Sequence, residues 1–131
     1  MKTYKEFLYE EVCDVIPKSV IAQIEKFADF LLNKHGIDIR FTQHFADRMS
    51  DSRNSPCISI DELKDVFKKI NKDSGEKIKK IKNAEAVIKD LQTQLNIPAV
   101  INYSQKNGFE VVLKTIMRKK NFKTPDKIVS I

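Results

Sequence analysis

Apolar positions along the chain change period near Gly75. Upstream they recur every three to four residues, the signature of helices with one buried face. Val20, Ile21, Ile24, Phe27, Ala28, Leu31 and Leu32 predict a helix over about 17–34, with Pro17 in its first turn and Gly36 as its C-terminal cap. A shorter amphipathic stretch, residues 3–12, precedes it with Tyr4, Phe7, Leu8 and Val12. Residues 37–40 read as a brief extended piece. Thr42 then suits the N-cap of a short helix ending near Met49. Residues 50–59 are polar and contain Pro56, so they predict a loop. A further helix starts at Ser59 or Asp61, buries Leu63, Val66, Phe67 and Ile70, and ends at Asp73-Ser74-Gly75.

Downstream the alternation is two-residue, which predicts strands at 77–81, 86–90, 99–105, 109–118 and 127–131. Asn107-Gly108 lies between two alternating runs and predicts a type I′ hairpin turn. In the run after it, Lys114 and Arg118 share one face. The fold class expected is α+β, with N-terminal helices packed on a small antiparallel sheet. The 131 residues fit one domain, 1–131, without an internal repeat.

Composition bounds the class. With 41% hydrophobic and 32% charged residues the chain has the means to bury a core. No apolar run approaches a membrane span, and residues 1–7 lack a signal-peptide core, so the expectation is a cytoplasmic protein that does not engage a membrane. Cys13 and Cys57 stand far apart in unrelated contexts and are expected to be separate thiols. The two histidines and two cysteines make no spaced metal-ligand set, so neither metal nor cofactor is expected.

Charge adds a partner class. Residues 1–60 carry 8 Lys/Arg and 9 Asp/Glu, whereas residues 61–131 carry 16 and 9, so net charges of −1 and +7 make up the overall +6. An electropositive half concentrates polyanions, of which RNA and DNA are the obvious ones. The chain has three glycines in all, at 36, 75 and 108, and no phosphate-binding glycine loop, nucleophile elbow or two-metal carboxylate cluster. Any chemistry therefore rests on His, Arg and Lys. Metal-free RNA cleavage fits that inventory, because RNA supplies its own 2′-hydroxyl nucleophile. The protein need only move protons and stabilise the phosphate.

His44 is the candidate for proton transfer. Phe41, Phe45 and Met49 are spaced four apart and face the core. His44 and Arg48, also four apart, share the adjacent face. A partly buried histidine held by Asp47 or a carbonyl is the structural alternative. His35, at the end of the first helix, is explained by capping. A second basic cluster runs from Lys114 through Arg118, Lys119 and Lys120 to Phe122. Its cations suit backbone phosphate and its aromatic ring suits a base. A charged strand end that resists edge pairing accounts for it equally well.

Phe41-Thr42-Gln43-His44-Phe45-Ala46-Asp47-Arg48, with the later Phe67-Lys68-Lys69-Ile70, resembles the central part of the RegB endoribonucleases of T-even phages. That family shows an aromatic, then Ser-Gln-His-x-x-Asp-Arg, then a helix ending in Phe-x-Lys-Ile. The resemblance covers residues 41–70. It implies the RelE-like fold of the barnase/EndoU/colicin/RelE group and a phage-encoded, toxin-like endoribonuclease acting on mRNA. It puts His44 and Arg48 in the catalytic positions. The family's second histidine falls on Lys68, a cation able to contact RNA. With the charge reading, Lys114 and Arg118 would join His44 and Arg48 in catalysis, and Lys68, Lys119, Lys120 and Phe122 would bind RNA. Two rivals stand beside this reading. One is a module of the same fold that binds nucleic acid without cutting it. The other is a phage structural or host-interaction protein with a phage or host protein as its partner.

Overall fold

The computed structural model describes residues 13–131; the amphipathic stretch at 3–12 lies outside them. Helix α1 (Lys18–Leu32) passes through a short 3₁₀ turn (Asn33–His35) to Gly36, whose φ of 70° closes the helix as the sequence predicts. Strand β1 (Ile37–Phe41), helix α2 (Gln43–Met49) and helix α3 (Ile60–Lys69) follow. Thr42 caps α2, accepting from the Phe45 N–H at 3.0 Å. Ser59 and Glu62 form a reciprocal capping box on α3.

The chain does not stop at Gly75. It widens into a π-helical turn (Ile70–Ser74) and continues as α4 (Gly75–Ile81). The predicted strand at 77–81 is thus a helix. Ile78 and Ile81 are three residues apart and pack into or against the core, a helical spacing hidden in a segment too short to display a period. His35 clasps the widened turn. Its Nε2 lies 3.1 Å from both the backbone O and the Oδ1 of Asn71. A carbonyl only accepts, so Nε2 carries the hydrogen. The ring also rests on Gly75, where a Cβ would sit 3.0 Å from His35 Nδ1. Glycine stands there to admit the imidazole, not to end a helix.

Strands β2 (Ala84–Asp90), β3 (Leu95–Ser104), β4 (Gly108–Leu113), β5 (Met117–Arg118) and β6 (Lys127–Ser130) complete a six-stranded sheet in the order β1-β4-β3-β2-β6, with β5 pairing the start of β3. The sheet is mixed, not an antiparallel meander. β2–β3 and β3–β4 are antiparallel, but β1 runs parallel to β4 and β6 parallel to β2. The predicted strand 109–118 breaks after Leu113, because Ile116 turns into the core at 1% exposure. The 104–108 connection has positive φ only at Gly108, so it is not the type I′ turn that Asn107-Gly108 suggested. One sheet face carries Ile37, Ile39, Val111, Leu113, Ala99, Ile101, Ala86, Ile88 and Val129, all buried in the core shared with the helices.

Cys13 and Cys57 form a disulfide, which corrects the expectation of two separate thiols. The loop 50–59 folds back beside residues 13–16. Cys13 N–H donates to Ser52 Oγ at 3.2 Å and Ile16 N–H to Ser50 Oγ at 2.9 Å. A separation of 44 residues hid that meeting. Among the described residues no helix is long and apolar enough to cross a membrane. Disulfides persist where conditions are oxidising, so this bond bears on the expectation of a cytoplasmic protein.

Strand β1 is an edge strand, and α1 guards it. Asp29 Oδ1 accepts from Ile39 N–H at 2.6 Å, and Glu25 Oε2 accepts from Phe41 N–H at 2.7 Å. These carboxylates occupy donors that another strand would otherwise seek. Burial raises the Asp29 pKa above its ordinary value, against the Ile39 hydrogen bond that lowers it. A raised carboxyl pKa means that ionisation opposes folding, so stability is lost as pH rises through it. Asp29→Asn keeps an acceptor and removes the charge. Its melting temperature is expected to exceed wild type at neutral pH, with the gain vanishing in acid. Equal melting at neutral pH would contradict this.

Candidate functional site

Helix α2 is held by its core side. Phe45 and Met49 are fully buried, and the Phe41 ring lies tilted 4.6 Å from Phe45 and stacks 6.0 Å from Phe67. The Thr42 hydroxyl donates to the Lys114 carbonyl at 2.9 Å, tying the start of α2 to the end of β4. The opposite side of α2 then presents His44 and Arg48 as the spacing predicts. Arg48 Nε donates to His44 Nε2 at 3.3 Å, which requires that nitrogen to be unprotonated. Asp47 takes a hydrogen bond from Gln43 Nε2 instead, at 2.9 Å.

His44 and Arg48 line a cleft of about 500 Å³ together with Asp51, Arg53 and Asn54 from the loop and residues 115–119 from the β4–β5 segment. Asp51 organises its cations. Its carboxylate accepts from Arg48 Nη1, from Arg53 Nη2 at 2.8 Å and from Arg53 Nε at 3.1 Å, and it also accepts from the Arg53 backbone N–H at 2.8 Å. Arg48 Nη2 and Arg53 Nη1 make no hydrogen bond among the described residues. Both guanidinia are thus aligned by the Asp51 carboxylate, and among the described residues each keeps one terminal nitrogen without a partner. Together with Lys119, Arg48 and Arg53 line the cleft as three cations beside the one carboxylate of Asp51.

Arg118 also borders the cleft, but its donors are committed. Nε donates to the Pro56 carbonyl at 2.9 Å. Nη1 donates to Glu62 Oε2 at 2.9 Å and the Thr93 carbonyl at 2.8 Å. Nη2 donates to Glu62 Oε1 at 2.7 Å and the Cys57 carbonyl at 3.1 Å. All five donors are taken, and the side chain is 7% exposed. In this arrangement Arg118 fastens the wall of the cleft and has nothing left to offer a phosphate. Asn54 completes the wall: Nδ2 donates to the Arg48 carbonyl at 3.1 Å, and Oδ1 accepts from the Arg118 N–H at 2.9 Å.

The remaining predicted residues scatter. Lys114 points to Glu85, 2.8 Å away, and does not line the cleft. Lys68 is exposed on α3, 3.8 Å from Asp65. Lys120 is exposed and Phe122 half-buried, with the Phe122 carbonyl accepting from Lys89 Nζ at 3.0 Å; neither lines the cleft. Residues Asp51, Arg53 and Asn54 escaped the sequence reading, which took 50–59 as a plain polar loop. Asp-x-Arg-Asn directly after a helix bearing His and Arg was the available signal. No protein-family model, curated protein or solved structure matches the chain.

The Arg118 hydrogen bonds hold the Glu62 carboxyl below its ordinary pKa, outweighing the opposing effect of burial. A depressed carboxyl pKa adds stability that is present above the ordinary value and is lost as pH falls through the depressed one. Glu62→Gln leaves the guanidinium without its counter-charge and is expected to cost roughly 2–4 kcal/mol at neutral pH. Urea unfolding should show that difference shrinking toward acid. A difference independent of pH would refute the ion pair's role.

Proposed function

We propose that the cleft is an RNA phosphodiester site and that the protein is a metal-independent endoribonuclease of the RegB kind, with the RelE-like fold that this implies. The observation that carries the reading is the His44–Arg48 pair, at 3.3 Å, facing Arg53 across one orienting carboxylate. A phosphate seated on the free edges of Arg48 and Arg53 would receive charge-assisted donors from both sides. Lys119, on the rim, would track the strand. We further propose mRNA in a bacterial host's cytoplasm, with the gene carried by a phage, as the setting.

The chemistry follows from the donors. Arg48 turns its Nε toward phosphate and frees the lone pair of His44 Nε2. His44 takes the proton of the 2′-hydroxyl, and the 2′-oxygen bonds to phosphorus. Arg48 and Arg53 stabilise the charge gathering on the non-bridging oxygens. The P–O5′ bond breaks, the departing 5′-oxygen takes a proton from water, and the hydroxide left takes the proton held by His44. The products are a 2′,3′-cyclic phosphate and a 5′-hydroxyl. Arg118, Lys114, Lys68, Lys120 and Phe122 have no part in these steps; Arg118 holds the wall.

A second reading has an observation of its own. Lys68, at the position of the family's second histidine, lies outside the cleft and beside Asp65. A module that holds RNA without cutting it would need only the arginines.

Two substitutions separate these roles. His44→Ala should lower cleavage at least about 10²-fold while leaving affinity for a 2′-O-methylated RNA oligonucleotide unchanged. Retained cleavage would remove His44 from the mechanism. Arg53→Ala should weaken binding of the same oligonucleotide and reduce the slope of log affinity against log salt by about one, the signature of a lost phosphate contact. An unchanged slope would place the phosphate elsewhere.

A further inference from the structure

The loop that supplies Asp51, Arg53 and Asn54 to the cleft is the loop that the disulfide holds. Cys57 lies three residues beyond Asn54, and Cys13 reaches it from the other side of the molecule's sequence. Around that bond the segment 13–16 is laced to the loop twice more, through Cys13 N–H to Ser52 Oγ at 3.2 Å and Ile16 N–H to Ser50 Oγ at 2.9 Å. These two serines flank Asp51, the carboxylate that sets both arginines. The Cys57 carbonyl is also one of the five acceptors of Arg118. The bond is therefore coupled to the cation pair along two short routes, one through Ser50–Asp51–Ser52 and one through Arg118 and Asn54. The helices and sheet reach the core without it: neither cysteine belongs to the packed cluster that joins α1, α2, α3 and the strands.

We infer that the Cys13–Cys57 pair is a redox control on the cleft, in which the disulfide form holds the loop in its RNA-binding arrangement and the dithiol form releases it. This regulates the site assigned above and rests on that assignment. The chemistry is thiol–disulfide exchange with a dithiol reductant. One thiolate of the reductant attacks the sulfur of Cys57, the more exposed residue of the two. The protein S–S bond breaks and Cys13 leaves as thiolate. The reductant's second thiolate then attacks the mixed disulfide and expels Cys57. The reductant ends as a cyclic disulfide, and the two cysteines end as thiols after taking up two protons. In a reducing cytoplasm the loosened form would prevail, and an oxidising shift would switch the site on. This removes the tension between a disulfide and an intracellular RNA substrate.

The experiment compares the full chain in its disulfide form, after reduction with dithiothreitol, and after reoxidation. Affinity for a 2′-O-methylated RNA oligonucleotide is measured alongside hydrogen exchange of the backbone amides. Reduction should weaken binding about tenfold through lost preorganisation and should speed exchange at residues 50–59 while β2, β3 and β4 keep their protection. Reoxidation should restore both. The double substitution Cys13→Ser with Cys57→Ser should bind as the reduced protein does and ignore the reductant. Unchanged exchange at 50–59 on reduction would overturn the inference, whatever the substituted protein does. So would loss of protection throughout the sheet, which would make the bond a general staple. If neither form binds RNA but exchange at 50–59 still responds, the RNA assignment fails and the redox-coupled loop stands.

Discussion

Arg118 is the point on which the cleft depends. One guanidinium, 7% exposed, joins the loop at Pro56 and Cys57, helix α3 at Glu62 and the β2–β3 turn at Thr93. The loop between α2 and α3 contains one hydrogen-bonded turn, Asp51 to Asn54, and no helix or strand. A buried guanidinium is tolerated only when its charge and all its donors find partners. Satisfying Arg118 thus ties the end of the loop, the capping box and the turn together, while the disulfide and the Ser50 and Ser52 hydroxyls hold the rest of the loop. The cation pair of Arg48 and Arg53 then sits beside a wall that is already fixed.

A division of labour among the arginines follows. Arg118 faces inward and is spent on structure. Arg48 and Arg53 face the cleft, share Asp51 and, among the described residues, each keep one terminal nitrogen without a partner. Cations aligned behind one carboxylate, with donors open toward solvent, are the arrangement that the proposed phosphate site would use. The same loop also carries half of the disulfide, so whatever fixes the loop fixes the site.

The sequence made some of this legible and not the rest, for physical reasons. His44 and Arg48 are four apart on one short helix between Phe41, Phe45 and Met49, so local periodicity alone placed them together. The strands at 84–90, 95–104 and 127–130 announce themselves by alternation, at least in part. Lys77–Ile81 misled because two isoleucines among lysines fit either period over five residues, and the π-helical turn before them has no local signature. The parallel pairing of β1 with β4 and of β6 with β2 joins segments far apart in the chain. The disulfide and the destination of the Arg118 side chain depend on the same long-range closure. Lys114 and Arg118 looked like partners because one strand was expected to run through both. The break after Leu113 sends Lys114 to Glu85 and Arg118 into the wall.

The decisive property of the cleft is whether it cuts RNA by the 2′-hydroxyl route. Total bacterial RNA is incubated with the full chain in its disulfide form, in EDTA, and the new ends are mapped and typed. Discrete cuts with 2′,3′-cyclic phosphate and 5′-hydroxyl ends are expected of the proposed site. Intact RNA, or ends bearing 5′-phosphate, would contradict the assignment.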